Sequence, residues 1–136
     1  MSIPGEQNER VVVYIEDDVA MLELVTLILK NQGFKVIGVM GGQEGLEVIG
    51  RVKPDAVLLD LMMPDMGGWD VYQHMKASEE MKHIPVIIVT AKAQDIDKVL
   101  GIRIAKVQDY ITKPFSPAEL VQRLEKVLKD SPQIPN

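Results

Sequence analysis

Four short strand-like runs in this 136-residue chain lead into polar side chains able to do chemistry. Arg10–Ile15 leads into Glu16, Asp17 and Asp18. Ala56–Leu59 ends in Asp60, Val86–Val89 ends in Thr90, and Asp109–Thr112 is followed by Lys113. Taken alone, Asp60 reads equally as a site residue or as the N-cap of a following helix. Taken together, three carboxylates, a hydroxyl and an ammonium stand at strand ends. Clustered carboxylates repel one another and raise each other's pKa unless a cation sits among them. Oxygen ligands suit a hard divalent ion, and Mg²⁺ binds through one or two carboxylates, water and a phosphate. Lys113 offsets part of the remaining negative charge. These are the parts for phosphoryl transfer, which depends mostly on positioning and charge stabilisation. Asp60 is then the nucleophile, since a carboxylate can form an aspartyl-phosphate.

These residues converge only if the runs are parallel strands. Arg10–Ile15, Phe34–Val39, Ala56–Asp60, Val86–Thr90 and Asp109–Thr112 are each long enough for a buried strand and too short for a helix. Helical segments alternate with them: Val19 to Gln32, Gln43 to Val52, about Trp69 to Ala77, one within Asp95 to Lys106, and a last one ending near Lys129. In the first, Leu22, Val25 and Leu29 mark the inward stripe, and Leu24, Leu27 and Ile28 widen it. Leu46 and Ile49 point inward in the second, and Leu120, Leu124 and Val127 in the last. Gly33 stops the first helix. Ser116-Pro117-Ala118-Glu119 is a capping box with Pro at the first helical position. Five rounds of strand then helix predict a doubly wound (βα)5 α/β fold, with a parallel sheet covered on both faces as a three-layer sandwich. All strand C-termini then meet on one edge, where sites gather.

Residues 1–9 read as a disordered leader, 10–130 as one domain and 131–136 as a frayed tail. No apolar stretch is long enough to span a bilayer, and the polar first ten residues make no signal peptide. The absence of cysteine excludes disulfides and fits the cytoplasm. A net charge of −5 argues against direct nucleic-acid binding, since such domains are usually basic. Gly41-Gly42-Gln43-Glu44-Gly45 matches neither a P-loop nor a dinucleotide fingerprint. His74 and His83 lack any phosphotransfer context and read as solvated. The eight Met read mostly as core or loop filler, with an adaptable docking surface as the alternative for Met62, Met63 and Met66 beside Asp60.

Four motifs carry a family resemblance: Val13-Tyr14-Ile15-Glu16-Asp17-Asp18, Leu58-Leu59-Asp60-Leu61-Met62-Met63-Pro64, Val86-Ile87-Ile88-Val89-Thr90-Ala91 and Asp109-Tyr110-Ile111-Thr112-Lys113-Pro114-Phe115. In order and spacing, residues 10–130 resemble the receiver domain of two-component response regulators, of the chemotaxis-regulator kind. The resemblance implies a flavodoxin-like fold with strand order 2-1-3-4-5. It implies Asp60 as phospho-acceptor, and Mg²⁺ held by Asp17 directly, by Glu16 through water, by Asp60 and by the Met62 backbone carbonyl. Asp18 falls to the helix start. Thr90 and Lys113 bind the phosphoryl group, with Lys113-Pro114 a cis peptide. On phosphorylation Thr90 swings toward the phosphate and Tyr110 rotates inward. That changes the face made by the fourth helix, the fifth strand and the last helix.

The donor it implies is a sensor histidine kinase or a histidine phosphotransfer protein, docking near the first helix and the loop after strand five. The recipient is a downstream protein or a fused output domain. The protein is expected to be a cytoplasmic monomer that pairs, if at all, when phosphorylated. The chain stops soon after the last helix, so no DNA-binding or enzymatic output domain is expected within it. One stretch departs from the family: Ile102 to Gln108 lacks the usual Gly-Ala. Lys92 and Met62 occupy positions that tune phosphate lifetime in the family.

Three other readings fit less well. An Asp-nucleophile phosphatase needs a second Asp two residues on, where this chain has Met62. An FMN carrier needs a hydroxyl-rich loop and aromatic flanks. A pseudo-receiver usually loses an acid or the Lys, and none is lost here.

Overall fold

The computed structural model describes residues 9–61, 63, 66–91 and 109–130. The strands are β1 (Arg10–Ile15), β2 (Phe34–Val39), β3 (Ala56–Asp60), β4 (Val86–Thr90) and β5 (Asp109–Thr112). The helices are α1 (Val19–Lys30), α2 (Gly42–Val52), α3 (Gly68–Ala77) and a C-terminal helix, Pro117–Asp130. All four strand pairings are parallel, in the order β2-β1-β3-β4-β5. This is the flavodoxin-like doubly wound order that the resemblance implied.

The continuous apolar runs have a simple cause. Every residue of β3 and β4 is buried, as are the last four of β1. A parallel strand covered on both faces meets no water, so either face accepts Val, Ile or Leu. Successive side chains then enter two separate cores. Val13, Ile15, Val57, Leu59, Val86 and Ile88 join Ile49, Val71 and Met75 of α2 and α3. Val12, Tyr14, Leu58, Ile87 and Ile111 join Val25 and Leu29 of α1 and Leu120, Leu124 and Val127 of the C-terminal helix. The edge strand β2 alternates partly instead.

Helix starts follow local chemistry. Asp18 caps α1, its Oδ1 accepting from the amides of Ala20 at 2.9 Å and Met21 at 3.3 Å. Ser116 Oγ accepts from the Glu119 amide at 3.1 Å, half of the expected capping box. Helix α1 ends at Lys30 rather than Gln32, and Gly33 follows at φ +87°, where a glycine costs least.

The expected burial of α1 needs one correction. Val25 and Leu29 are buried, with Met21, Leu22 and Ile28 packed beside them. Leu24 and Leu27, expected to widen that stripe, stand 49% and 58% exposed. A helix on one face of a sheet buries only an arc, and Leu27 lies roughly 200° round from Val25. The leader to residue 8, the helix expected within 95–106, the atypical 102–108 stretch, Lys92 and the 131–136 tail lie outside the described residues.

Candidate cation and phosphoryl site

Register brings the acids together. Ile15 pairs with Leu59, so the next residues, Glu16 and Asp60, share one row across β1 and β3. Asp60 pairs with Val89, and Thr90 pairs with Thr112, which places Thr90 and Lys113 one step further along neighbouring strands. The result is a cluster of Glu16, Asp17 and Asp60 whose ligand oxygens all lie within 4.8 Å of one another. Glu16 and Asp60 are buried, and Asp17 is partly open.

Glu16 is held by several hydrogen bonds. Its Oε1 accepts from the Lys113 ammonium at 2.6 Å and from the Tyr14 hydroxyl at 2.8 Å, and its Oε2 accepts from the Asp18 amide at 3.2 Å. Burial pushes its carboxyl pKa up. Hydrogen bonds with Lys113, Asp60 and Tyr14 outweigh this and hold it below the ordinary range. Lys113 also approaches Asp60, Nζ to Oδ2 at 3.8 Å. The Lys113–Pro114 peptide is cis, as the resemblance implied. The Lys113 amide donates to the Thr90 carbonyl at 2.7 Å, tying the end of β5 to that of β4.

Tyr14 is the residue that sequence reasoning missed. It reads as one more apolar strand residue, and it is fully buried. Two residues apart on a strand means one face, so its ring shares a face with Glu16 and its hydroxyl reaches that carboxylate. Burial, then the Glu16 charge, pushes the phenol pKa well above its usual value. The Tyr-x-Glu spacing was the available signal.

Thr90 presents the opposite case. Its Oγ1 is buried with no hydrogen-bond partner among the described residues. A buried hydroxyl without a partner is costly and asks for an explanation. Tyr110 is 38% exposed on β5. Met62 lies outside the described residues, so its carbonyl is not placed. Gly68, the first residue of α3, lies against Asp60. A Cβ there would stand 2.2 Å from the Asp60 carbonyl oxygen and 2.8 Å from Leu61 Cα, so α3 can begin this close only on a glycine. His74 and His83 are exposed.

The donor set suits a hard divalent ion: carboxylate oxygens alone, one of them partly open, beside an ammonium. Fold and site define a doubly wound α/β domain with a buried acidic cluster, able to hold a cation, at the C-terminal edge of its sheet. A family model described as "Response regulator receiver domain" matches residues 12–125. The chain belongs to that family, as a signalling module of two-component systems rather than a multiple-turnover enzyme.

Among curated relatives, the DNA-binding response regulator MtrA of Mycobacterium tuberculosis H37Rv is 37% identical over 122 residues, 90% of this chain and 51% of MtrA. The sensory transduction protein RegX3 of Mycobacterium tuberculosis CDC 1551 is 38% identical over 118 residues, 87% of this chain and 50% of RegX3. The chain thus spans about half the length of the curated relatives it matches.

Among solved structures, the receiver domain of the sensor histidine kinase PA1611 from Pseudomonas aeruginosa PAO1 superposes with TM-score 0.82 at 26% identity. The match covers 90% of this chain and 99% of that one, and that structure carries a magnesium ion in its active-site cleft. A CheY-like receiver domain protein from Methanospirillum hungatei JF-1 gives TM-score 0.82 at 25% identity, covering 91% and 97%. Among the described residues no helix is long and apolar enough to cross a membrane.

Proposed function

We propose that Asp60 accepts a phosphoryl group from a phosphohistidine, and that the aspartyl-phosphate changes the surface around β5. The carrying observation is the placing of Asp60: a buried carboxylate whose oxygens reach within 4.8 Å of those of Glu16 and Asp17, with the Lys113 ammonium 3.8 Å from its Oδ2. A carboxylate oxygen of Asp60 attacks phosphorus. The new P–O bond forms as the P–N bond to the donor imidazole breaks, and that nitrogen keeps the electron pair. Lys113 supplies positive charge to the phosphoryl oxygens, while Glu16, itself fixed by the Tyr14 hydroxyl, holds Lys113 in place. Asp17, Asp60 and the Met62 carbonyl would hold Mg²⁺, with Glu16 acting through water. When bound, Mg²⁺ supplies neutralisation of the phosphoryl oxygens.

The Thr90 hydroxyl, unpartnered among the described residues, suits a role as ligand of the new phosphate, and the exposed Tyr110 ring would turn inward as Thr90 moves. Phosphorylation adds close to two negative charges, enough to bias such a pair of states. The donor is a sensor histidine kinase or a histidine phosphotransfer protein. A cleft of about 350 Å³ lined by Met21, Leu24, Lys113, Pro114 and Phe115 supports docking there, beside the ammonium that meets the phosphate. The recipient is a downstream protein or a fused output domain. Pairing on phosphorylation uses the β5 face. With a net charge of −5, we assign no nucleic-acid contact to this chain, although MtrA is called DNA-binding. We place the protein in the cytoplasm, where such donors present their phosphohistidine.

Intact-mass measurement after incubation with acetyl phosphate and Mg²⁺ tests the reading. A base-labile adduct on the native protein and none on Asp60→Asn is the expected result. No adduct, together with failure to form a beryllofluoride complex, overturns it in favour of a partner-binding module that lacks phosphoryl chemistry.

A further inference from the structure

Five large hydrophobic side chains stand exposed among the described residues: Val19, Leu24, Leu27, Met40 and Tyr110. Leu24 and Tyr110 belong to surfaces already discussed. The other three line a single groove of about 490 Å³ between α1 and the end of β2. Val19, Leu27 and Met40 are 51%, 58% and 50% exposed there. Leu22 and Thr26 of α1 and the bare Gly38 of β2 complete its wall. A Cβ at Gly38 would approach Leu22 Cδ2 to 3.1 Å, so the glycine lets Leu22 pack closely on β2 at the groove wall. Exposed apolar side chains gathered into one patch mark an interaction surface, whereas scattered ones do not.

Two charges border the groove. Glu23 and Lys30 both line it, both are exposed, and neither forms a salt bridge among the described residues. They are seven residues apart, two helical turns, and so lie on one stripe of α1. Opposite charges at this spacing make the stripe complementary to itself. A second copy laid antiparallel, with the two-fold axis between Thr26 and Leu27, sets Glu23 opposite Lys30 of the second copy, and Lys30 opposite its Glu23. Such an isologous contact is the commonest way for a protein to pair with itself.

We propose that this groove is the interface of a homodimer that forms without phosphorylation. Strand order places β2 and β5 at opposite edges of the sheet. The contact therefore leaves the β5 face free for the proposed switch, and a dimer carries two such faces.

Sedimentation velocity over a concentration series of the full chain, without any phosphoryl donor, tests this. The native protein is expected to pass from monomer to dimer as concentration rises. E23K alone and K30E alone turn two attractions into two repulsions, and each should weaken the dimer about tenfold or more. An equimolar mixture of E23K and K30E restores opposite charges at both contacts and should recover native association, as should the double variant E23K/K30E. Both positions are exposed, so all variants should melt close to the native temperature. A native protein that stays monomeric throughout overturns the proposal. So do single reversals that leave the dimer unchanged, or a mixture that fails to recover it. Any of these would leave the groove to a different kind of partner.

Discussion

Lys113 Nζ stands 2.6 Å from Glu16 Oε1, joining residues 97 apart in sequence across the open edge of the sheet. Glu16 is 1% exposed, so this ammonium is the main compensation for a buried charge. Lys113→Met should therefore cost about 2–3 kcal/mol of stability in the presence of a chelator, less than a fully buried pair because Lys113 is partly open to water. Urea unfolding would show it as a lower midpoint at unchanged slope. The acid limb should change too. The folded Glu16 pKa lies below its ordinary value, so its contribution is complete above about pH 4.5 and is lost as pH falls through the folded pKa. In Lys113→Met that acid-dependent loss should shrink.

The acid cluster stores repulsion while no cation is present. Asp17→Asn removes one of three charges whose oxygens lie within 4.8 Å. The metal-free variant should be more stable than the native protein by about 1 kcal/mol. With Mg²⁺ at about a hundred times its dissociation constant, the native protein should gain about 2.7 kcal/mol. Asp17→Asn should gain far less. Thermal melts with chelator and with Mg²⁺ read both effects. Equal gains in the two proteins would remove Asp17 from the cation site.

Thr90→Val replaces a buried, unpartnered hydroxyl with a methyl group of similar size. It should stabilise the resting protein by about 1 kcal/mol, because an unsatisfied hydroxyl is costly to bury. The same change should leave Tyr110 unresponsive to beryllofluoride, as followed by NMR of the Tyr110 ring. A destabilised variant would mean that the hydroxyl has a partner in the resting state.

Tyr14→Phe removes one donor from Glu16 and should cost about 1–2 kcal/mol at neutral pH. It should also alter the alkaline limb. Burial, followed by the Glu16 charge, raises the folded phenol pKa. Tyr14 thus contributes stability below its ordinary pKa of about 10, which is lost as pH rises beyond it. Denaturant titrations between neutral pH and about pH 11 should show a shallower alkaline decline in the variant.

The strands were legible in the sequence because β1, β3 and β4 are buried on both faces, and burial on both faces writes an uninterrupted apolar run. Their order was legible only through the family motifs, since strand spacing alone does not choose among the topologies of a parallel sheet. The cluster of Glu16, Asp17 and Asp60 was legible for a geometric reason. Parallel strands of similar length end on one edge, so residues that follow separate apolar runs must gather there.

What the sequence by itself determined is thus the set of groups at that edge. Tertiary structure decided how they are shared. Register puts Glu16 and Asp60 in one row, which lets Lys113 address both. The pleat turns Tyr14 to the same face, and a residue that looked like core filling becomes a hydrogen-bond donor to the site. Packing leaves the Thr90 hydroxyl without a partner among the described residues, and Leu24 and Leu27 in solvent. Composition reports only that a side chain can hydrogen-bond or be buried. Whether it is depends on what the fold brings within a few ångströms of it, across distances in sequence that no local pattern records.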